Sequence, residues 1–430
     1  MIARRQTCPS RIQESPKAME STDYRLTIKP WQTPLVVLLG GCLISLIGFG
    51  ARSSYGVYLG PITEEFGWSR EDFALAMALQ NLFWGLCLPL AGMLADRFGP
   101  VWVIGIGALV YAVGTFGVTL IDTTLTLHLT GGVLVGTGVA FTAFSLATAA
   151  ILRVVGMERR TFVIGLCTAA GSVGQVLYSP ITQGVIGGYG WPTALIVTAI
   201  SVCLILPLAF TLPSDPRVRN ENVVHSGSGG AIREAFANRG FLLLTAGFFV
   251  CGFHVAFITV HLPIYVADLD LAPMVGAVAI SLIGIFNILG SLLSGALRQR
   301  YSKKIGLSGI YALRALVLAI FLISPKTTEV IYVFAAAMGI LWLSTVPLTA
   351  GLVAQVFGIR YMATLFGFVF LSHQIGSFIG VWLGGFIHDT TGSYDLMWQA
   401  GILMGLVAAV IHLPIDEAPV PRLQEGEGRV

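Results

Sequence analysis

Long apolar stretches alternate with short charged ones along nearly the whole chain. Twelve of them, bounded by charge clusters, cover residues 34–60, 73–94, 101–121, 126–152, 161–185, 191–211, 239–266, 274–297, 306–324, 329–355, 362–387 and 395–414. A hydrocarbon layer about 30 Å thick is crossed by roughly 20 residues of helix, which each stretch can supply. Backbone amides find no water in that layer, so repeated runs of this kind predict helices and not open sheet. The pattern predicts an all-α integral membrane protein with twelve transmembrane helices, spans 1 to 12 in chain order.

Composition sharpens the class. Apolar residues make up 55% of the chain and charged residues 11%, with a mean hydropathy of +0.81, which excludes a soluble domain of this length. The 51 glycines suit close approach of membrane helices. Cys8, Cys42, Cys87, Cys167, Cys203 and Cys251 are scattered and suggest neither a disulfide framework nor a metal site. The first 30 residues are polar, carry six basic side chains and lack an apolar core, so they read as a disordered tail and not as a cleaved signal peptide.

Charge placement predicts topology. With both termini inside, 21 of the 25 Lys and Arg residues fall on the inner side, and only Arg70 and Lys326 fall outside. The remaining two, Arg52 and Arg314, lie within spans. The net charge of +3 is then a topology signal and not a nucleic-acid footprint. A bacterial-type cytoplasmic (inner) membrane with both termini cytoplasmic is expected, with the lipid bilayer as the surrounding partner.

The chain also repeats itself. Gly92-Met93-Leu94-Ala95-Asp96-Arg97 matches Gly295-Ala296-Leu297-Arg298-Gln299-Arg300 at an offset of 203, and Gly156, Gly165, Gly174 and Gly190 recur as Gly358, Gly367, Gly376 and Gly392 at an offset of 202. Two regions sharing nearly one register predict a duplicated architecture of two pseudo-symmetric six-helix bundles. Residues 1–33 form a cytoplasmic tail, 34–212 the first bundle, 213–238 a linker containing Ser226-Gly227-Ser228-Gly229-Gly230, 239–414 the second bundle and 415–430 a C-terminal tail.

The segment Gly92-Met93-Leu94-Ala95-Asp96-Arg97-Phe98-Gly99, between spans 2 and 3 of a duplicated twelve-span chain, resembles the loop motif of the major facilitator superfamily. The resemblance covers Trp31 to Pro414 and implies a gating role for Gly92, Asp96, Arg97 and Gly99. Asp96 is expected to meet the positive start of span 11 near Arg360 to Ala363, latching the inner gate. Within the superfamily, Tyr55-Gly56-Val57-Tyr58-Leu59-Gly60-Pro61-Ile62 and Glu65-Phe66-Gly67-Trp68-Ser69-Arg70 look like the monocarboxylate and oxalate/formate branch. That branch implies a cationic side chain holding a carboxylate, the place Arg52 would fill. It also tends to carry an arginine in span 8, where this chain has Gly290-Ser291. A larger, mostly neutral aromatic solute such as riboflavin is therefore the alternative cargo.

Arg52 is the first candidate residue on its own account. A fixed charge at the centre of a span costs roughly 2.5–3.5 kcal/mol on insertion scales and usually faces a bundle interior or wet cavity. Gln80 and Asn81 lie at similar height in span 2 and could compensate it, although amides serve helix packing equally well. The same depth brings Gln175, His254, Asn287, Trp342 and His373, with His373 preferred to its neighbour Gln374. Trp84, Phe141 and Tyr178 could stack a planar ligand. Arg314 is expected to snorkel toward the inner interface and stay out of the site. Pro180, Pro207, Pro263 and Pro347 should mark bends.

No Asp or Glu occupies the middle of a span, so a carboxylate proton relay is unsupported. Coupling to a proton through His254 or His373, exchange against a second solute, and facilitated diffusion stay open. No phosphate-cradling loop, cofactor site or metal-ligand spacing is present. The expected function is alternating-access transport of a small organic solute, most simply a monocarboxylate, by a monomer. A non-transporting membrane sensor is a distant alternative, and an enzyme is not expected for want of a nucleophile and base.

Overall fold

The computed structural model describes residues 29–152, 154, 160–214, 228–297, 302–358 and 362–420. All regular structure among them is helical. Eleven helices are long and apolar enough to cross a membrane. The twelfth, Arg160–Tyr189, is of full length but carries six glycines and several hydroxyl and amide side chains. It is span 5, which packs between neighbours and has less need of an apolar surface.

Helix packing repeats in the two halves. Span 1 (Pro34–Phe66) packs on span 5, span 2 (Arg70–Phe98) on span 4 (Thr124–Ile151), and span 3 (Pro100–Leu120) on span 6 (Trp191–Ala209). Span 7 (Arg239–Ala267) packs likewise on span 11 (Met362–Thr391), span 8 (Pro273–Leu297) on span 10 (Thr328–Phe357), and span 9 (Lys303–Ile323) on span 12 (Asp395–His412). Each pairing in the first bundle has its counterpart six spans later. The bundles meet through spans 2 and 11 and through spans 5 and 8, contacts that a two-fold pseudo-axis exchanges. Spans 3, 6, 9 and 12 turn Ile106, Val113, Ile200, Leu316, Ile320, Leu403 and Val410 outward, as helices facing lipid should.

Two pairs of the repeated glycines have a backbone reason. Gly190 and Gly392 follow the last residues of spans 5 and 11 with φ of 82° and 74°, a region closed to most L side chains, and a Cβ on Gly174 or Gly376 would collide with Leu46 O or Phe249 O.

Four spans are less regular than their hydropathy predicts, span 6 among them with a break at Leu204. Span 1 is α-helical to Ser53, tightens to a 3-10 turn over Tyr55–Tyr58 and continues to Phe66. Span 4 breaks at Thr142 and Ala143, and span 10 between Leu341 and Thr345. Pro180 and Pro263 lie inside unbroken helices, while Pro207 and Pro347 follow breaks. Ten residues of the expected linker form the helix Ser228–Ala237. The N-terminal tail to residue 28, linker residues 215–227, Arg298, Arg300, Arg360 and the last ten residues lie outside the described residues.

Candidate functional site

Arg52 reaches the seam between the bundles from the last turn of the α-helical part of span 1. Its Nη2 donates to Asn81 Oδ1, and Asn81 Nδ2 is itself anchored to Met77 O at 2.8 Å. The guanidinium lies over the Trp84 ring, 4.5 Å from the centroid. One acceptor and one aromatic face are thus supplied by a single stripe of span 2, at positions 81 and 84, one helical turn apart. Among the described residues no carboxylate forms a salt bridge with Arg52, and its buried Nε has no hydrogen-bond partner.

A cavity of about 10 Å³ adjoins the guanidinium, bounded by Tyr55, Gly56, Met77, Gln80 and Asn81 of the first bundle and by Ala256, Thr259 and Val260 of span 7. Its volume suits one water and no organic solute. Tyr55 is held by Thr115 at 2.8 Å and Tyr58 by Thr198 at 3.2 Å, both deep inside the first bundle.

The other expected residues do not form one layer around Arg52. Gln80 lines the same cavity but donates to Gly131 O at 3.0 Å, so span 4 holds its amide and not the arginine. Gln175 and Asn287 sit on the second seam. Gln175 Nε2 donates to Ile280 O at 3.2 Å and Asn287 Nδ2 to Ser172 Oγ at 3.0 Å, each bond joining span 5 to span 8. Trp342 is buried at the break of span 10. His373 stacks on Phe370 at 5.8 Å and lies 3.3 Å from Gln374 Oε1, and Phe370 meets Trp84 at 5.5 Å across the bundles. His254 turns away, with Nε2 2.8 Å from Gly401 O of span 12 inside the second bundle.

The gating motif is seen only in part. Gly99 takes φ 89° at the start of span 3, and the Arg97 guanidinium covers the Phe98 ring at 5.1 Å. Of the segment expected to meet Asp96, Arg360 to Ala363, residues 360 and 361 lie outside the described residues.

Arg314 departs from expectation. It does not snorkel; it is fully buried, with Nε and Nη2 on Leu341 O at 3.2 and 2.7 Å and a further bond to Trp342 O. The break in span 10 frees those carbonyls, and hydropathy alone could not reveal it.

A second cluster, not anticipated from sequence, bridges the bundles at the end remote from both termini. Arg70 binds Asp268 of span 7 through two bonds of 2.6 Å. Asp389 of span 11 accepts from the backbone N–H groups of Arg70 at 3.2 Å and Glu71 at 2.6 Å, while Trp382 Nε1 donates to Glu71 Oε1 at 2.9 Å. Span 2 therefore starts with its first two amides capped by the opposite bundle, the third being capped by its own Ser69 at 3.0 Å. Tyr394 completes the group. His261 in its neutral form gives its Nε2 proton to Val381 O at 2.8 Å, which leaves Nδ1 to accept from the Tyr394 hydroxyl at 3.0 Å. That hydroxyl accepts in turn from Arg70 at 3.3 Å, and burial raises the phenol pKa above its ordinary value, keeping it neutral. The signal available in the sequence was Arg70 itself, one of two cations on the side where cations are scarce.

Comparison with known proteins agrees with this architecture. Monocarboxylate transporter 13 of Rattus norvegicus is 24% identical over 91% of this chain and 96% of its own. The oxalate:formate antiporter of Oxalobacter formigenes is 23% identical over 91% of this chain and 92% of its own. A bacterial homologue of the human lysosomal transporter Spinster, in an inward-facing and occupied conformation, superposes with a TM-score of 0.72 at 16% identity, covering 89% of this chain and 96% of that one. The family model for the Major Facilitator Superfamily matches residues 41–380 and 285–429. A duplicated bundle of twelve helices, matched by that model along most of its length, makes this chain a multi-pass membrane transporter of the Major Facilitator Superfamily.

Proposed function

We propose that the protein is a secondary active, alternating-access carrier of a small organic anion, most simply a monocarboxylate, with Arg52 as its electrostatic anchor. The observation that carries this reading is the state of the guanidinium. It lies between the bundles on Asn81 and Trp84, with a buried N–H unpartnered and no acidic side chain to neutralise it. A carboxylate entering there gains a charge-assisted hydrogen bond to a group already stripped of water. The names of two full-length relatives, a monocarboxylate transporter and an oxalate:formate antiporter, support the same class.

The moving bodies are residues 34–212 and 239–414, in a bacterial-type cytoplasmic membrane with both termini inside and the monomer as the working unit. Arg52, Asn81 and Gln80 make first contact with cargo. Gln175, Asn287, Trp342 and His373 line the remaining seam as the bundles part, and Asp96 with Arg97, between Gly92 and Gly99, latches the inner side. On this orientation the Arg70 cluster closes the outer face. The coupling partner is a proton or an exchanged solute.

Purified protein is to be screened by thermal shift with lactate, oxalate, benzoate and riboflavin, because a ligand of the native state raises apparent stability. Lactate or benzoate should stabilise the wild type, and Arg52→Ala should lose that shift while still inserting in the membrane. Undiminished stabilisation of Arg52→Ala removes Arg52 from the site. The aromatic wall of Trp84 and Phe370 beside Arg52 favours a second reading, a planar neutral solute. Stabilisation by riboflavin alone would select it. Binding without uptake into sealed vesicles would instead indicate a sensor.

A further inference from the structure

The break in span 10 leaves backbone groups without helical partners, and side chains from two other spans take them up. The first segment ends at Leu341 and the second begins at Thr345. Val346 N–H turns back to Leu343 O at 3.0 Å, and Trp342 N–H to Gly339 O at 3.1 Å, so the regular ladder is interrupted. Arg314 of span 9 takes the carbonyls of Leu341 and Trp342. Asn287 of span 8 accepts from Leu343 N–H at 3.1 Å and passes a bond of 3.0 Å to Ser172 in the opposite bundle. Gly290 permits this closeness, because a Cβ there would collide with Ile340 O and lie 2.8 Å from Ser344 Oγ.

We propose that Arg314 is a positioning residue for the transport cycle: a buried cationic pin that fixes the angle of span 10 and, through Leu343 and Asn287, ties it to Ser172 across the seam. The dependence is mutual. A guanidinium with no acidic partner among the described residues is tolerable in a membrane interior only against strong carbonyl dipoles, and those carbonyls are available only while the helix is broken. Straightening span 10 would return Leu341 O and Trp342 O to the ladder and strand the charge. Removing the charge would strand the carbonyls. The result is a hinge with one preferred setting. The corresponding break in span 4 has the neutral local bond from Thr142 Oγ1 to Gly138 O at 2.8 Å, which Ser344 Oγ to Ile340 O at 2.6 Å repeats in span 10, but among the described residues no arginine binds it, so the two bundles differ in how firmly their broken spans are held.

Hydrogen–deuterium exchange on the full protein in nanodiscs tests this without knowledge of the cargo. Arg314→Met fills the same space without charge and should raise amide exchange over residues 341–346 by about ten-fold or more, with residues 141–146 unchanged. Arg314→Lys, which restores a donor and the charge, should recover most of the protection. Wild-type protection in the methionine variant, or equal loosening of the whole bundle by methionine and lysine, overturns the proposal. Should Arg314→Met not fold, Asn287→Leu removes the other half of the pin with Arg314 in place. Loosening of residues 341–346 in that variant supports the proposal, and unchanged exchange there overturns it.

Discussion

Three arginines outside the basic loops each solve the same electrostatic problem with different partners. Arg70 has a carboxylate, Arg314 has carbonyls, and Arg52 has one amide oxygen and an indole face. Arg52 and Arg314 both keep a buried nitrogen without a partner, but only that of Arg52 lies beside a cavity at the bundle seam, which is why it is the binding candidate. Asn81 should then matter more than its size suggests. Asn81→Leu deletes the sole side-chain acceptor seen on Arg52, and a hydrogen bond to a charged group is worth about 1.5–3 kcal/mol. Chemical denaturation of the purified variant should show a loss of that order, whereas Gln80→Leu, which gives up neutral bonds to the Gly131 carbonyl of span 4 and to Met77 Sδ, should cost less. Arg52 stood out in the sequence as a charge in an apolar run, and its pairing with Asn81 followed from matching depth. The roles of Gln80 and His254 did not follow, because depth does not say to which side of a helix a polar group turns.

At the scale of helices, the apolar pattern located every span but not where spans 1, 4, 6 and 10 depart from regular α-helix. Such breaks depend on partners from other helices, as Leu343 N–H depends on Asn287, and those partners are far away in sequence. Proline was a guide for half of its cases: Pro207 and Pro347 follow breaks, whereas Pro180 and Pro263 sit in continuous helix. Paired glycines were a better one, since the repeat at Gly190 and Gly392 marks two equivalent connections, from span 5 to span 6 and from span 11 to span 12. Gly392→Ala should lower stability by roughly 1–2 kcal/mol, the cost of placing a Cβ in the left-handed region, and a melting curve of the variant in detergent checks it.

For the molecule as a whole, the seam is closed by polar contacts unevenly distributed along its length. Those at the end remote from the termini are dense and charged, while those near Arg52 leave space for one water. Asp268→Asn weakens the bidentate pair with Arg70 and should shift the population toward opening at that end. Spin labels placed on spans 1 and 7 near that face should report a longer distance in the variant than in the wild type, and an unchanged distribution would mean the pair does not hold the seam. The duplicated design and the number of spans were legible in the sequence. This contact cluster was not, because Arg70, Asp268 and Asp389 look like ordinary loop charges until folding brings positions some 200 and 320 residues apart together.

The cap that Asp389 places on span 2 carries a consequence for water. Two amides of span 2 are satisfied only while the bundles touch, so parting them exposes N–H groups that solvent must fill at the same moment. Opening is thus a hydration event as much as a rotation.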